Sequence, residues 1–285
     1  MIKRILVALD PDQDTPVATQ YAADIAQRWD AEVSGLAVID TKRIAAEIGP
    51  GGAVGSMYYM EVSRKHMLDD ARETAKALVS TFDETLEEVQ VAHEELVKEG
   101  APVAQVLEEL KYSDLLVIGR KPHFFYNDPE RETNTLARIV KRSTAPSLVV
   151  CEQFRPVRHV LVAYDGSNPS VRAMQRFAHL QPFGQDLTIE VVHVRTGELA
   201  RQRDASTQLL QRASQYLKAH GFQHIRYSDI DGERPADLLI EHASRFEAGL
   251  IVAGAHSVSA VRRVAFGSTT HELLTSCKVP LFIFH

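Results

Sequence analysis

The sequence predicts an α/β protein built from two tandem, doubly wound parallel-sheet domains. Three observations carry that prediction. First, the chain repeats itself. RILVALD (Arg4–Asp10) recurs as HVLVAYD (His159–Asp165), and GLAVID (Gly35–Asp40) matches EVVHVR (Glu190–Arg195). DLLVIG (Asp114–Gly119) then matches GLIVAG (Gly249–Gly254), and APSLVV (Ala145–Val150) matches VPLFIF (Val279–Phe284). A repeat this long is a duplicated domain rather than a solenoid unit. Second, short apolar runs alternate with helical patterns inside each copy, which implies parallel strands with right-handed crossovers. Third, 285 residues suit two units of ordinary size. The boundary falls in EQFRPVR (152–158), which sets domains of 1–153 and 157–285.

The elements follow in order. ILVAL, GLAVI, DLLVI and SLVV are near-continuous apolar runs, as expected of strands covered on both faces. Five strands are expected in each copy. TPVATQYAADIAQRW places Val17, Tyr21, Ile25 and Trp29 on one helical face. After the second strand the first copy carries extra length, TKRIAAEIGPGGAVGSMYYMEVSRKHM, which Gly49, Gly51, Gly52 and Gly55 make partly loop-like. APVAQVLEEL and RPADLLIEHA each set Pro near a helix start, where its missing N–H costs nothing. The last strands, SLVVC and LFIFH, are apolar yet would end their sheets. An unpaired edge invites strand addition, so they are expected to pair with each other.

Composition narrows the function. A net charge of −6 argues against a nucleic-acid or membrane-surface binder. No apolar stretch reaches the ~18 residues of a transmembrane helix. The apolar run in MIKRILVALD ends at Asp10, so it does not read as a secretory leader. Cys151 and Cys277 form neither a disulfide framework nor a metal cluster. A cytoplasmic location is expected.

The chemistry concentrates in GAHSVSAVRRVAFGST (Gly254–Thr269), expected to be a loop between a buried strand and a helix. Ligands of doubly wound sheets bind at the carboxyl ends of strands. A helix start there offers free N–H groups and the positive dipole end to an anion. Gly267 lets backbone approach a phosphate closely, and Ser268 and Thr269 can donate hydroxyls. Thr269 with Glu272 reads as a capping box. Arg262 and Arg263 could neutralise phosphate charge, and Asp165 ends the copy's first strand.

Gly254, two residues, Ser257, nine residues, Gly267 and Ser268 resemble the universal stress protein motif G-x2-G-x9-G-(S/T), with Ser257 where the second Gly is usual. VLVAYDGS and VVHV strengthen the likeness, which spans essentially the whole chain and suggests a tandem member. The resemblance implies a Rossmann-like, adenine nucleotide alpha hydrolase-like fold. It implies an adenine nucleotide (ATP, or AMP/ADP), with Mg²⁺ as a candidate companion. Asp165 and the backbone of Val194 would face adenine, and Ala163 would line the pocket. Gly254 would lie at the ribose. Ser257, Gly267, Ser268 and Thr269 would face the phosphates. The implied role is stress response through regulatory contacts with a protein partner, not rapid catalysis. The two copies would form an intramolecular pseudo-dimer, with a homodimer as a further assembly. A nucleotide-free scaffold and a slow ATPase are the alternatives.

The first copy departs from this pattern. Gly119 matches Gly254, but RKPHFFYNDPERETNT follows. Thr133 and Asn134 stand where Gly267 and Ser268 do, and Asp128, Glu130 and Glu132 add charge that repels phosphate. The first copy is expected to have lost the site, with FFY (Phe124–Tyr126) turned to apolar packing.

Overall fold

The computed structural model describes residues 1–47, 54–122, 124, 134–151, 153–196, 200–255, 257–260 and 263–285. The first copy contains β1 (Arg4–Leu9), α1 (Asp14–Trp29), β2 (Glu32–Ile39), α2 (Thr41–Glu47) and α3 (Val54–Glu88). It continues with β3 (His93–Glu99), α4 (Pro102–Glu109), β4 (Leu115–Ile118), α5 (Thr135–Arg142) and β5 (Ser147–Val149). The second contains β6 (His159–Ala163), α6 (Asn168–Leu180), β7 (Thr188–Arg195), α7 (Ala200–Ala219) and β8 (His224–Asp231). It ends with α8 (Pro235–Arg245), β9 (Leu250–Gly254), β10 (Ser257–Ala260), β11 (Arg263–Phe266), α9 (Ser268–Ser276) and β12 (Leu281–Phe284).

One sheet of ten strands runs in the order β3-β2-β1-β4-β5-β12-β9-β6-β7-β8. Pairing is parallel within each copy. The seam is antiparallel, with Leu281 opposite Val149 and Ile283 opposite Ser147. This is the pairing expected of the two terminal strands. All seven residues of β5 and β12 are buried, so the seam is core rather than edge. Alternate residues feed two apolar layers. Ile5, Val7 and Leu9 face α1 and α3, while Leu6 and Ala8 face α4 and α5. Both layers run across the seam into the second copy, where α6 and α7 continue one and α8 and α9 the other.

The connector adds cross-copy bonds. The Tyr21 hydroxyl of α1 donates to the Arg155 carbonyl at 3.0 Å, and its ring packs 4.7 Å from Phe154. Trp29, at the end of α1, donates its indole N–H to the Gln181 carbonyl at 3.1 Å. The pairing of β1 with β2 and of β6 with β7 also corrects the repeat. Ala8 lies opposite Leu36 and its counterpart Ala163 opposite Val192, so GLAVID is one residue out against EVVHVR. Val38 is therefore the counterpart of Val194, and Ile39 of Arg195. A one-residue slip would exchange the two faces of a strand.

Four expectations need correction. The extra length of the first copy is mostly helix. α2 is followed by α3, whose 35 residues extend about 52 Å at 1.5 Å per residue. Gly55 lies inside α3, while Gly49, Gly51 and Gly52 lie outside the described residues. Ala71, Ala75, Val79, Phe82 and Leu86 make the buried stripe that docks it, and this helical spacing outweighs the glycine signal. The segment expected as a loop after β9 contains the antiparallel hairpin β10–β11. The capping box does not form: Gly267 is the N-cap of α9, and Thr269 sits inside the first turn. The pairing of GLAVID with EVVHVR is the fourth.

α3 meets the sheet where β2 has no side chain. A Cβ at Gly35 would stand 2.6 Å from the ring of Phe82, which is 1% exposed. Gly35→Ala should therefore lose about 1–3 kcal/mol of unfolding free energy in urea. Phe82→Ala should lose about 3–5 kcal/mol. Unchanged stability in both would separate α3 from the core.

Candidate functional site

In the second copy the strand order reverses between β7 and β9 on either side of β6, and a cleft opens at their carboxyl ends. A cavity of about 810 Å³ occupies it. Seven of the eight residues named from sequence line it: Ala163, Asp165, Val194, Gly254, Gly267, Ser268 and Thr269. Ser257 starts β10, opposite Phe266, and its side chain is outside the described residues. Arg262 also lies outside them.

The walls are built locally. Asp165 follows β6 in an Asp-Gly-Ser turn, where its Oδ1 accepts the Ser167 N–H at 2.9 Å. Gly166 takes a φ of 76°, which favours glycine. Ser167, not Asp165, caps α6 by accepting the Ser170 N–H. Desolvation opposes ionisation of Asp165, but hydrogen bonds from Ser167 and Ser170 outweigh it and hold the carboxyl below its ordinary range. The turn thus presents a carboxylate, an acceptor only, at the cavity mouth.

The opposite wall joins β9 to α9. The Thr270 hydroxyl donates to the Gly254 carbonyl at 3.1 Å, and the His271 N–H closes the first helical bond to the Gly267 carbonyl at 2.9 Å. Gly267 has φ −61° and ψ 158°, open to any residue, so a glycine there matters only for the Cβ it leaves out. Ser268, Thr269 and Thr270 occupy the first turn, whose N–H groups lack helical partners. Gly254 has a packing reason of its own. A Cβ there would stand 2.4 Å from the Ser170 amide nitrogen and 2.6 Å from the Pro169 carbonyl carbon. The glycine is required to seat α6 on β9, whatever lies in the cavity.

The floor contains groups that sequence reasoning missed. His193 hydrogen-bonds the Tyr164 carbonyl through Nδ1 at 2.9 Å. Arg195 is 7% exposed, and its Nε donates to both carboxylate oxygens of Asp229, at 2.9 and 3.0 Å. The available signal was a His and an Arg breaking the apolar run EVVHVR near its carboxyl end.

The first copy differs at the same place. Phe124 is fully buried in the apolar cluster that includes Leu36 and Val38, the counterparts of Val192 and Val194. Its N–H donates to Asp10 Oδ2 at 3.2 Å. At Gly119 a Cβ would meet Asp12 Oδ2 at 2.7 Å and Asp14 Cβ at 3.0 Å. Acids thus crowd the position where the second copy seats the start of α6 against Gly254. Phe125, Tyr126, Asp128, Glu130, Glu132 and Thr133 lie outside the described residues, and Asn134 heads α5.

Desolvation, with repulsion from Asp14, raises the Asp12 pKa from 3.8 to about 6. Between those values the folded chain keeps a proton that the unfolded chain releases, so this group's effect on stability worsens as pH rises. The cost is absent below pH 3.8 and complete above about 6. Asp12→Asn should raise stability at pH 7.5 by about 2–3 kcal/mol and flatten that slope in urea titrations. A slope identical to that of the parent chain would refute the assignment.

A model described as the universal stress protein family matches the chain twice, over residues 1–150 and 156–285. Universal stress protein Slr1230 of Synechocystis sp. is 24% identical over 303 residues, covering 99% of this chain and 100% of that protein. A universal stress protein structure from Archaeoglobus fulgidus matches with a TM-score of 0.67 at 16% identity, covering 99% of this chain and 97% of the other. A structure from Pseudomonas aeruginosa matches at 0.61 and 15%, covering 99% and 93%. With its fold matched along the full length and its family model matched in each half, the chain belongs to the universal stress protein family, as a tandem member.

Proposed function

We propose that the second copy binds an adenine nucleotide, ATP or AMP/ADP, and that the loaded chain acts in stress response through regulatory contacts rather than turnover. One observation carries the reading: the carboxyl-edge cleft is a cavity of about 810 Å³ in the second copy, whereas in the first Phe124 is fully buried with its N–H on Asp10, the counterpart of Asp165. That volume suits a nucleotide-sized ligand. Asp165 would accept from the base or ribose, the Val194 backbone would face adenine, and Ala163 would pack beside it. Gly254 would border the ribose. Ser257, Gly267, Ser268 and Thr269 would meet the phosphates at the start of α9. Among the described residues no three His, Cys, Asp or Glu side chains converge as a metal-binding group. Mg²⁺ would ride on the phosphates and on hydroxyls such as those of Ser268 and Thr269. Residues 1–153 would serve as the structural partner of 157–285.

Equilibrium dialysis with ATP tests the assignment. Gly267→Asp sets a Cβ and a negative charge against the phosphates. Losing one charge-assisted contact of about 1.5–3 kcal/mol should weaken binding at least about ten-fold. Asn134→Asp, at the head of α5, should leave affinity unchanged. A folded Gly267→Asp variant with parental affinity would reject the phosphate cradle.

A further inference from the structure

The turn from α3 into β3, in which Gln90 takes a φ of 56°, folds the ring of His93 back onto the helix. Nδ1 lies 2.7 Å from the Val91 carbonyl oxygen in the turn, and Nε2 lies 2.7 Å from Asp83 Oδ1 on α3. The ring also meets Phe82 edge-on, with centroids 5.8 Å apart. A carbonyl oxygen only accepts, so Nδ1 must carry a proton. A neutral ring would then set the bare lone pair of Nε2 against the carboxylate, at the same 2.7 Å. Only the imidazolium donates to both partners.

The surroundings favour that charge. The charged groups that face the ring, all acidic, are Asp83 and Glu87 of α3 and Glu95 of β3. Across the sheet its register partner on β2 is the apolar Val33. Desolvation opposes ionisation of His93, but the bonds to Val91 and Asp83, with the charges of Asp83 and Glu87, outweigh it and hold the pKa above its ordinary 6.5. The second copy has no such group. Ile189, the counterpart of Val33, pairs with Ile225, which packs on the apolar layer and has no proton to lose.

We propose that His93 is a proton-operated latch that fastens the end of α3 to β3 in the first copy. The imidazolium holds the helix down, and loss of its proton turns an attraction between Nε2 and Asp83 into a repulsion. The end of α3 then lifts more often, uncovering Phe82 and Leu86, which are 1% and 0% exposed when it is seated. The latch stabilises fully below pH 6.5, and its contribution is lost as pH rises through the higher folded-state value.

Two measurements on the full chain test this. Proton NMR follows the His93 ring Cε1–H, identified by its absence in His93→Gln, over the range in which imidazoles titrate. It should titrate above 6.5 in the parent chain and lower in Asp83→Asn. Hydrogen exchange, corrected for the intrinsic effect of pH, should show Ala75–Leu86 opening several-fold more often above that transition than below it. In His93→Gln the same segment should open independently of pH. Three results would overturn the latch: titration of His93 at or below 6.5, an unmoved titration in Asp83→Asn, or parental exchange in α3 that does not respond to pH. Exchange in the parent chain decides the matter even where a variant fails to fold.

Discussion

The antiparallel pairing of β5 with β12 is the constraint on which the rest of the structure depends. Each copy alone would end in an apolar strand with unsatisfied backbone groups. Joined, the two strands satisfy those groups and bring two five-stranded sheets into register. Both apolar layers then run unbroken from one copy to the other. The seam also brings Ser143, which follows α5 in the first copy, beside α6 and His285 of the second.

Around the seam the copies have diverged at the same structural position. Each has a turn after its first strand and a helix packed against its fourth. In the second copy, the turn uses serines to hold Asp165 ionised, and the cleft stays open. In the first, Asp10, Asp12 and Asp14 crowd the turn, and Phe124 is buried with its N–H on Asp10. Burying an aromatic ring stabilises by a few kcal/mol. Crowding carboxylates opposes that, which is visible in the raised pKa of Asp12. The fourth strands show a similar divergence in glycine use. Gly119 is hemmed in by Asp12 and Asp14, whereas Gly254 is hemmed in by the backbone of α6.

Much of this was legible in the chain. The repeat and the apolar runs specify the alternation of strands and helices, and the terminal strands disclose their pairing. Seven of the eight named site residues meet in one cavity because the ends of β6 and β7 converge there with the β9-to-α9 junction that the motif marks. Other features were hidden for physical reasons. β3 and β8 are sheet edges whose side chains are largely polar, so no apolar run marks them. α3 begins within a glycine-rich stretch, and its docking stripe emerges only over many turns. Arg195 and His193 matter through tertiary neighbours, Asp229 and Tyr164, which sequence order does not bring together. The packing demand on Gly254 comes from a helix that begins far upstream.

The connector after β5, with Phe154 against Tyr21 and the Arg155 carbonyl on its hydroxyl, has a genetic consequence. In a pair of separate identical subunits, one codon change alters both members at once. Here the same change alters one half only. An aromatic plug can fill one cleft while the other keeps its shape, and the association of the halves stays unimolecular at any cellular abundance. Covalent linkage thus lets the two halves specialise without first having to find distinct partners.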